Sequence, residues 1–213
     1  MQRHSSPLDR LVGQFDHALR TLHGVQRGTG KPSPAAALDD TLVEPSERVR
    51  AGRLMRVDHA GEVMAQALYQ GQAFMSRETP LRAHLEQAAR EEADHLHWCE
   101  ERLREFRMRP SLLNPLWYMG GWLMGASAAR LGRSTNLGLV AEVERQVEAH
   151  IEDHLQQLPA DDIRSRAILN TMQEEEIQHG QNAMSLGGRK LPLPARLGMR
   201  LLSRLMTRGS LWV

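Results

Sequence analysis

The chain has 213 residues, 41% of them hydrophobic and only 4% aromatic, with 27 Lys+Arg against 26 Asp+Glu and a formal net charge of +1. That length fits one ordinary domain with a short extra segment, and it allows a substantial core. The near-zero charge balance gives no sign of a nucleic-acid partner, and the single cysteine, Cys99, excludes an internal disulfide framework and fits a reducing cytoplasm. Cys99 reads as a packing thiol. Only Lys31 and Lys190 are lysines, so arginine carries nearly all the positive charge. No run alternates as strands do, so the expected class is all-α.

Residues 1–27 predict a short amphipathic helix, with Leu8, Leu11, Val12, Phe15, Leu19 and Leu22 at helical spacing and His17 and His23 in solvent. Met1 to Arg20 holds no apolar run of signal-peptide length. Gly28 to Leu38 (GTGKPSPAAAL) reads as a linker. The core is expected to begin near Pro45-Ser46, where Ser46 caps a helix running to about Ser76. Thr79-Pro80 restarts the chain as an N-cap followed by proline at the first helical position. This helix runs to about Arg107 and stops before Pro110. Asn114-Pro115 opens an apolar helix that ends by Gly132. Its surroundings, Pro110 to Ala129, carry no formal charge and are just long enough to span a bilayer, but Asn114, Pro115 and the glycines speak against a spanning helix. A further helix runs from about Ser134 to Leu158 and is closed by Pro159. Asp161 caps the next, which continues to Gly187-Gly188. Pro192 and Pro194 introduce the last. The apolar segment then crosses between two helical hairpins.

The chemistry concentrates in one repeated pattern. Glu91-Glu92-Ala93-Asp94-His95 returns 84 residues later as Glu175-Glu176-Ile177-Gln178-His179. On a helix, Glu92 and His95 project from one face across a single turn, as do Glu176 and His179. Each pair follows another helical glutamate: Glu62 stands 30 residues before Glu92, and Glu144 stands 32 before Glu176. That distance is one helix, a tight turn and half the helix back. Four Glu and two His so arranged are the ligand set of ferritin-like di-metal carboxylate bundles. Four carboxylates near one point repel in a low-dielectric core, and two divalent ions cancel their charge. Oxygen-rich ligation with one imidazole per ion suits iron or manganese better than zinc. Spacing alone does not choose between Glu144 and Glu148, one turn apart. Glu91 and Glu175 also precede a histidine by four residues and read as solvated or supporting carboxylates. His59, one turn before Glu62, and Asp94, beside His95, are candidates to orient a ligand. His150 lies near the Glu144 face. His84, His97 and His154 read as solvated.

These residues together resemble the demethoxyubiquinone hydroxylase family. The match lies in RVDHAGE (Arg56 to Glu62), YxGQ (Tyr69 to Gln72), EADHL (Glu92 to Leu96), RPSLLNPLW (Arg109 to Trp117), VERQVEAH (Val143 to His150) and EEIQH (Glu175 to His179). It leaves residues 1–47 as an N-terminal extension and linker and residues 48–213 as the matched domain. The resemblance implies a ferritin-like four-helix di-iron bundle with two additional membrane-facing helices. It implies one iron held by Glu62, Glu92 and His95 and another by Glu144, Glu176 and His179, with Glu92 and Glu176 able to bridge. That settles the ambiguity in favour of Glu144. His150 matches a family histidine implied to help quinone reduction or proton transfer; some members have Tyr where this chain has Ile151. The implied reaction is monooxygenation, late in ubiquinone biosynthesis. One oxygen atom from dioxygen enters a ring C–H of a polyprenylated benzoquinol, 2-polyprenyl-3-methyl-6-methoxy-1,4-benzoquinol. Electrons come from the quinol or reduced nicotinamide. No nucleotide-binding Gly-rich loop is encoded.

The polyprenyl tail of such a substrate lives in the membrane, and two segments answer to it. Leu112 to Leu131 is apolar, with Trp117, Tyr118 and Trp122 suited to a membrane interface. The last helix carries Arg196, Arg200, Arg204 and Arg208 at four-residue spacing among leucines, a basic amphipathic helix able to lie on anionic lipid. The expectation is a peripheral protein on the cytoplasmic face of the inner membrane. Its partners would be the lipid surface and other ubiquinone-biosynthesis proteins. Two rival readings are a ferritin-like iron-oxidising protein and a non-catalytic quinone- or lipid-binding module. The Trp-rich segment and basic last helix oppose the first, and six matched ligands oppose the second.

Overall fold

Proline in the first turn or an acidic cap marks the start of every helix but the one that begins after Gly132. In a computed structural model, which describes residues 6–213, seven helices and no strand are found among the described residues. They are α1 (Pro7–Leu22), α2 (Pro45–Met75), α3 (Thr79–Glu105), α4 (Asn114–Arg130), α5 (Arg133–Gln157), α6 (Ile163–Ser185) and α7 (Leu193–Ser210). The first five residues of the helix expected over 1–27 lie outside the described residues. Three caps differ from expectation by one or two positions. Glu44, not Ser46, precedes α2 and accepts a bond from the Ser46 backbone, with Pro45 in the first turn where its missing N–H costs nothing. Asp162, not Asp161, caps α6 by accepting the Ser165 N–H at 3.1 Å. Thr79 opens α3 from inside the helix, after Glu78.

Helices α2 and α3 form one hairpin and α5 and α6 the other; α2 also meets α5, and α3 meets α6. Two apolar plugs close this four-helix bundle. One comprises Met55, Trp98, Cys99, Leu103, Ile151, Ile168, Leu169 and Met172. The other comprises Tyr69, Leu81, Leu85, Leu137, Val140 and Ala183. In sequence, the repeated Glu and His residues of all four helices fall between the two plugs.

The apolar helix α4 crosses between the hairpins along α2. Helix α2 is therefore buried on nearly every side from Ala51 to Ala73, and its sequence lacks a polar stripe for that reason. The two helices touch backbone to backbone. A Cβ on Gly121 would stand 2.4 Å from the Met64 carbonyl oxygen, and one on Gly125 would stand 2.1 Å from that of Leu68. These glycines are required by proximity. No helix among the described residues is long and apolar enough to cross a membrane.

The aromatic residues of α4 face inward, contrary to the expectation of an exposed interface. Trp117 donates to Ser210 at 3.0 Å, Tyr118 donates to Gln70, and Trp122 donates to Gln14 at 2.9 Å. Each indole or phenol finds its polar partner on a neighbouring helix, so burial costs little. The outer row of α4 is aliphatic instead: Leu116, Met119 and Leu123 are exposed. Helix α7 turns Leu202 and Met206 inward and leaves Leu193, Leu197, Leu201 and Leu205 exposed. Arg200, Arg204 and Arg208 are exposed, whereas Arg196 is partly buried against Glu142 at 3.1 Å. Helix α1 inserts Ala18 and Leu22 and exposes Leu8, Leu11, Val12 and Phe15.

The stretch that reads as a linker is packed. Ala35 and Leu42 sit in the core, and buried Arg102 reaches from α3 to Asp40 at 3.2 Å as well as to Glu105 and Asp162. Gly125→Ala is expected to destabilise the fold by about 1–3 kcal/mol, since a backbone oxygen cannot rotate away. Thermal melts of the variant beside Gly120→Ala, where a Cβ meets open space, check this.

Candidate metal centre

Glu62, Glu92, His95, Glu144 and Glu176 are each at most 2% exposed, and the His179 side chain is 11% exposed. They form two overlapping groups. Potential ligand atoms of Glu62, Glu92, His95 and Glu176 lie within 4.8 Å of one another, and so do those of Glu92, Glu144, Glu176 and His179. Glu92 and Glu176, one from each hairpin, belong to both. His95 Nδ1 stands 3.3 Å from Glu92 and 3.2 Å from Glu176; His179 Nδ1 stands 3.0 Å from Glu92 and 3.7 Å from Glu176.

The fit to metal is tested by what these atoms lack. Glu62 Oε2, both Glu92 oxygens, His95 Nδ1, Glu144 Oε2, Glu176 Oε2 and His179 Nδ1 are buried without a hydrogen-bond partner. One such atom costs about 1–3 kcal/mol, so seven at one point mark a set of donors shaped for cations. Four carboxylates and two imidazoles suit iron or manganese.

The far nitrogen of each imidazole is held across the bundle. His95 Nε2 on α3 meets Glu175 on α6 at 2.9 Å, and His179 Nε2 on α6 meets Glu91 on α3 at 2.8 Å. Glu91 and Glu175 thus stand behind the two imidazoles, where carboxylates that accept from Nε2 would leave Nδ1 turned toward the centre. Tyr69 donates to Glu144 Oε1 at 2.5 Å, which leaves Oε2 facing the centre. Nothing in the spacing argument singled out Tyr69, although it follows Glu62 by two helical turns and so shares its face.

Without metal, the charges settle among themselves. Burial, reinforced by neighbouring carboxylates, raises Glu62 and Glu144 well above the usual carboxylate range. Burial would do the same to Glu92, but His179 and His95 beside it hold it low. Burial would lower both histidines, yet the surrounding carboxylates win: His95 is raised, and His179 is pushed up to about 12. Glu175 is lowered to about 2 by His95, against burial, with help from Lys31.

Other candidates fall elsewhere. Asp94 does not orient a ligand on the partner hairpin; it accepts the backbone N–H groups of Thr29 and Gly30 at 3.1 and 3.2 Å. His59 is buried against Asn114 at the start of α4, outside both ligand groups, and burial lowers it to about 4. Glu148 is half-buried and outside them also. His84 and His97 are half-buried. His154 is not solvated: it is buried and bonded to Asp58 at 2.8 Å. Its signal was the four-residue spacing from His150, which places both rings on one face of α5. His150 lies 4.0 Å from Asp58, its Nε2 unpartnered, and is lowered to about 4 by burial and then by His154. His150, Asp58 and Glu62 line a mostly apolar cavity between α2, α5 and α7, walled by Val57, Met64, Leu68, Val143, Leu202 and Met206.

Residues 49–210 match the family model described as ubiquinone biosynthesis protein COQ7. The chain is 51% identical over 211 residues to a protein of Ralstonia pickettii (strain 12J), covering 94% of this chain and 97% of the relative. It is 51% identical over 213 residues to one of Bordetella pertussis (strain Tohama I), covering 99% and 95%. A Burkholderia cenocepacia relative is 51% identical over 201 residues, covering 94% and 96%. Each of the three is named 3-demethoxyubiquinol 3-hydroxylase.

The pKa directions fix a sign for stability. Glu62, Glu144, His95 and His179 are all raised in the folded chain, so the stability they contribute is full at low pH. It is lost as pH rises, for His179 between its ordinary value of 6.5 and about 12. Glu92 and Glu175 act oppositely, but only below their ordinary value of 4.5. Metal-free protein is therefore expected to melt at lower temperature at about pH 9 than at about pH 6. Saturating Mn(II) should reverse the order, because ligation needs these groups deprotonated. Thermal melts at both pH values check it.

Proposed function

We infer the reaction from one premise: the chain belongs to the COQ7 family of ubiquinone biosynthesis proteins. It is accordingly an oxidoreductase that hydroxylates 3-demethoxyubiquinol, late in ubiquinone biosynthesis. Our proposal concerns how. Glu62, Glu92 and His95 hold one iron ion and Glu144, Glu176 and His179 a second, with dioxygen as co-substrate. The observation that carries this reading is the convergence of seven unpartnered buried donor atoms from six residues. Replacing a ring C–H by C–OH takes one atom of dioxygen; the other leaves as water with two electrons and two protons. Bound iron supplies the activation that dioxygen needs before it reacts with a ring C–H, and reduced nicotinamide or the quinol supplies the electrons.

The chain's own residues do the rest. The apolar cavity receives the quinol ring and excludes water, with Glu62 in its wall. His150, neutral at physiological pH and free at Nε2, accepts a hydrogen bond from a ring hydroxyl and so orients the ring. His154 and Asp58 back that ring: the two imidazole centroids are 4.0 Å apart.

Attachment is peripheral, on the cytoplasmic face of the inner membrane, where the polyprenyl tail resides. What supports it is the set of outward aliphatic rows on α1, α4 and α7, the last flanked by Arg200, Arg204 and Arg208. Helix α7 also walls the cavity through Met199, Leu202 and Met206, so the tail leaves the ring pocket beside the lipid-facing helix.

Iron-loaded protein given a short-chain demethoxyubiquinol, reduced nicotinamide and isotopically labelled dioxygen is expected to place one labelled oxygen on the ring, read by mass spectrometry. Oxidised iron accumulating without product would overturn the mechanism. Wild-type protein should float with vesicles containing anionic lipid at physiological salt. An Arg200, Arg204 and Arg208 triple Ala variant should bind them at least tenfold more weakly, each arginine near the surface contributing about 1 kcal/mol.

A further inference from the structure

We propose that Gly28–Lys31 is a strap that positions His95 through Glu175, so that one half of the centre is completed by the N-terminal extension. This rests on the metal reading above and goes beyond it, because these residues lie outside the 49–210 match. The strap is anchored on α3. Asp94 accepts from the backbone of Thr29 and Gly30 and from the Thr29 hydroxyl. A Cβ at Gly28 would stand 2.1 Å from Asp94 Oδ1, so the backbone lies directly on that carboxylate. Trp98 donates its indole N–H to the Lys31 carbonyl at 3.3 Å. From that fixed backbone the Lys31 ammonium reaches across to α6 and pairs with Glu175 Oε1, while Glu175 Oε2 meets His95 Nε2.

The second imidazole has no such arrangement. Glu91 meets His179 with one oxygen and neutral Gln87 with the other, at 2.8 Å, and among the described residues no Lys or Arg is paired with it. Exposure follows the same asymmetry: the His95 side chain is fully buried and that of His179 is 11% exposed. A carboxylate whose second oxygen is paired with an ammonium is held more strongly than one whose second oxygen accepts only from a neutral amide, and outer partners of this kind govern how tightly a ligand holds its metal. Lys31 is thus a positioning residue for the ion beside His95, not for the ion beside His179.

Anaerobic titration of the metal-free full chain with Co(II), followed by ligand-field absorption and by ion count, tests this. Wild type is expected to take up two ions. Lys31→Met should weaken one of them about 10–100-fold and leave the other unchanged, and Lys31→Arg should restore wild-type behaviour. Glu91→Gln should weaken the ion that Lys31→Met spares, so that the double variant weakens both. Lys31 is about half exposed, so the metal-free melting temperature of Lys31→Met should stay that of wild type. Two-ion uptake by Lys31→Met indistinguishable from wild type overturns the strap alone. Equal weakening of both ions, with a lowered metal-free melting temperature, also overturns it in favour of a packing role. A wild-type chain that takes up no ion overturns the metal reading and the strap with it.

Discussion

Four carboxylates in one buried layer repel each other and lose their hydration, and the fold answers that problem at every level. Two apolar plugs bracket the layer and keep water from relieving it. Two imidazoles come from opposite hairpins, and each is gripped from behind by a carboxylate of the other. Tyr69 takes one oxygen of Glu144 and leaves the other turned inward. Removing one member of such a set leaves its neighbours as unpaired buried charges, which costs more than the lost contact itself. These Glu and His residues therefore belong to the bundle's packing as much as to its chemistry, and neither hairpin alone assembles the set.

Much of this was legible in the sequence because it is periodic. Three-residue spacing put Glu92 with His95 and Glu176 with His179, and the near-equal intervals to Glu62 and Glu144 gave two hairpins. Proline positions gave most helix starts, with caps off by one or two residues where Glu44 and Asp162 outcompeted their neighbours. Orientation was less legible. The aromatics of α4 look suited to lipid by composition, but their N–H and O–H groups find partners on α1, α2 and α7, so the aliphatic side turns out instead. His154 and Asp94 were misread for a related reason: their partners, Asp58 and the Thr29–Gly30 backbone, are 96 and about 65 residues away, beyond any local pattern.

The extension shows the same limit. Gly, Pro and Ser in residues 28–38 speak for a linker, and such composition describes local stiffness, not docking. What fixes the segment is non-local: a buried arginine that reaches Asp40, and an aspartate that collects its backbone N–H groups. Of the chain's two lysines, one stands near the start of that segment and pairs with Glu175 behind His95. A long flexible side chain with a terminal cation suits that reach.

Helices usually meet through side chains that can rotate, compress or repack. Where α4 crosses α2, glycine lets main chain rest on main chain, and main chain has no rotamers to absorb a displacement. The outer aliphatic row of α4 and the inward Glu62 of α2 are therefore mounted on a single stiff plate. A surface that presses on that row loads the frame of the carboxylate layer directly, with no soft gasket between them.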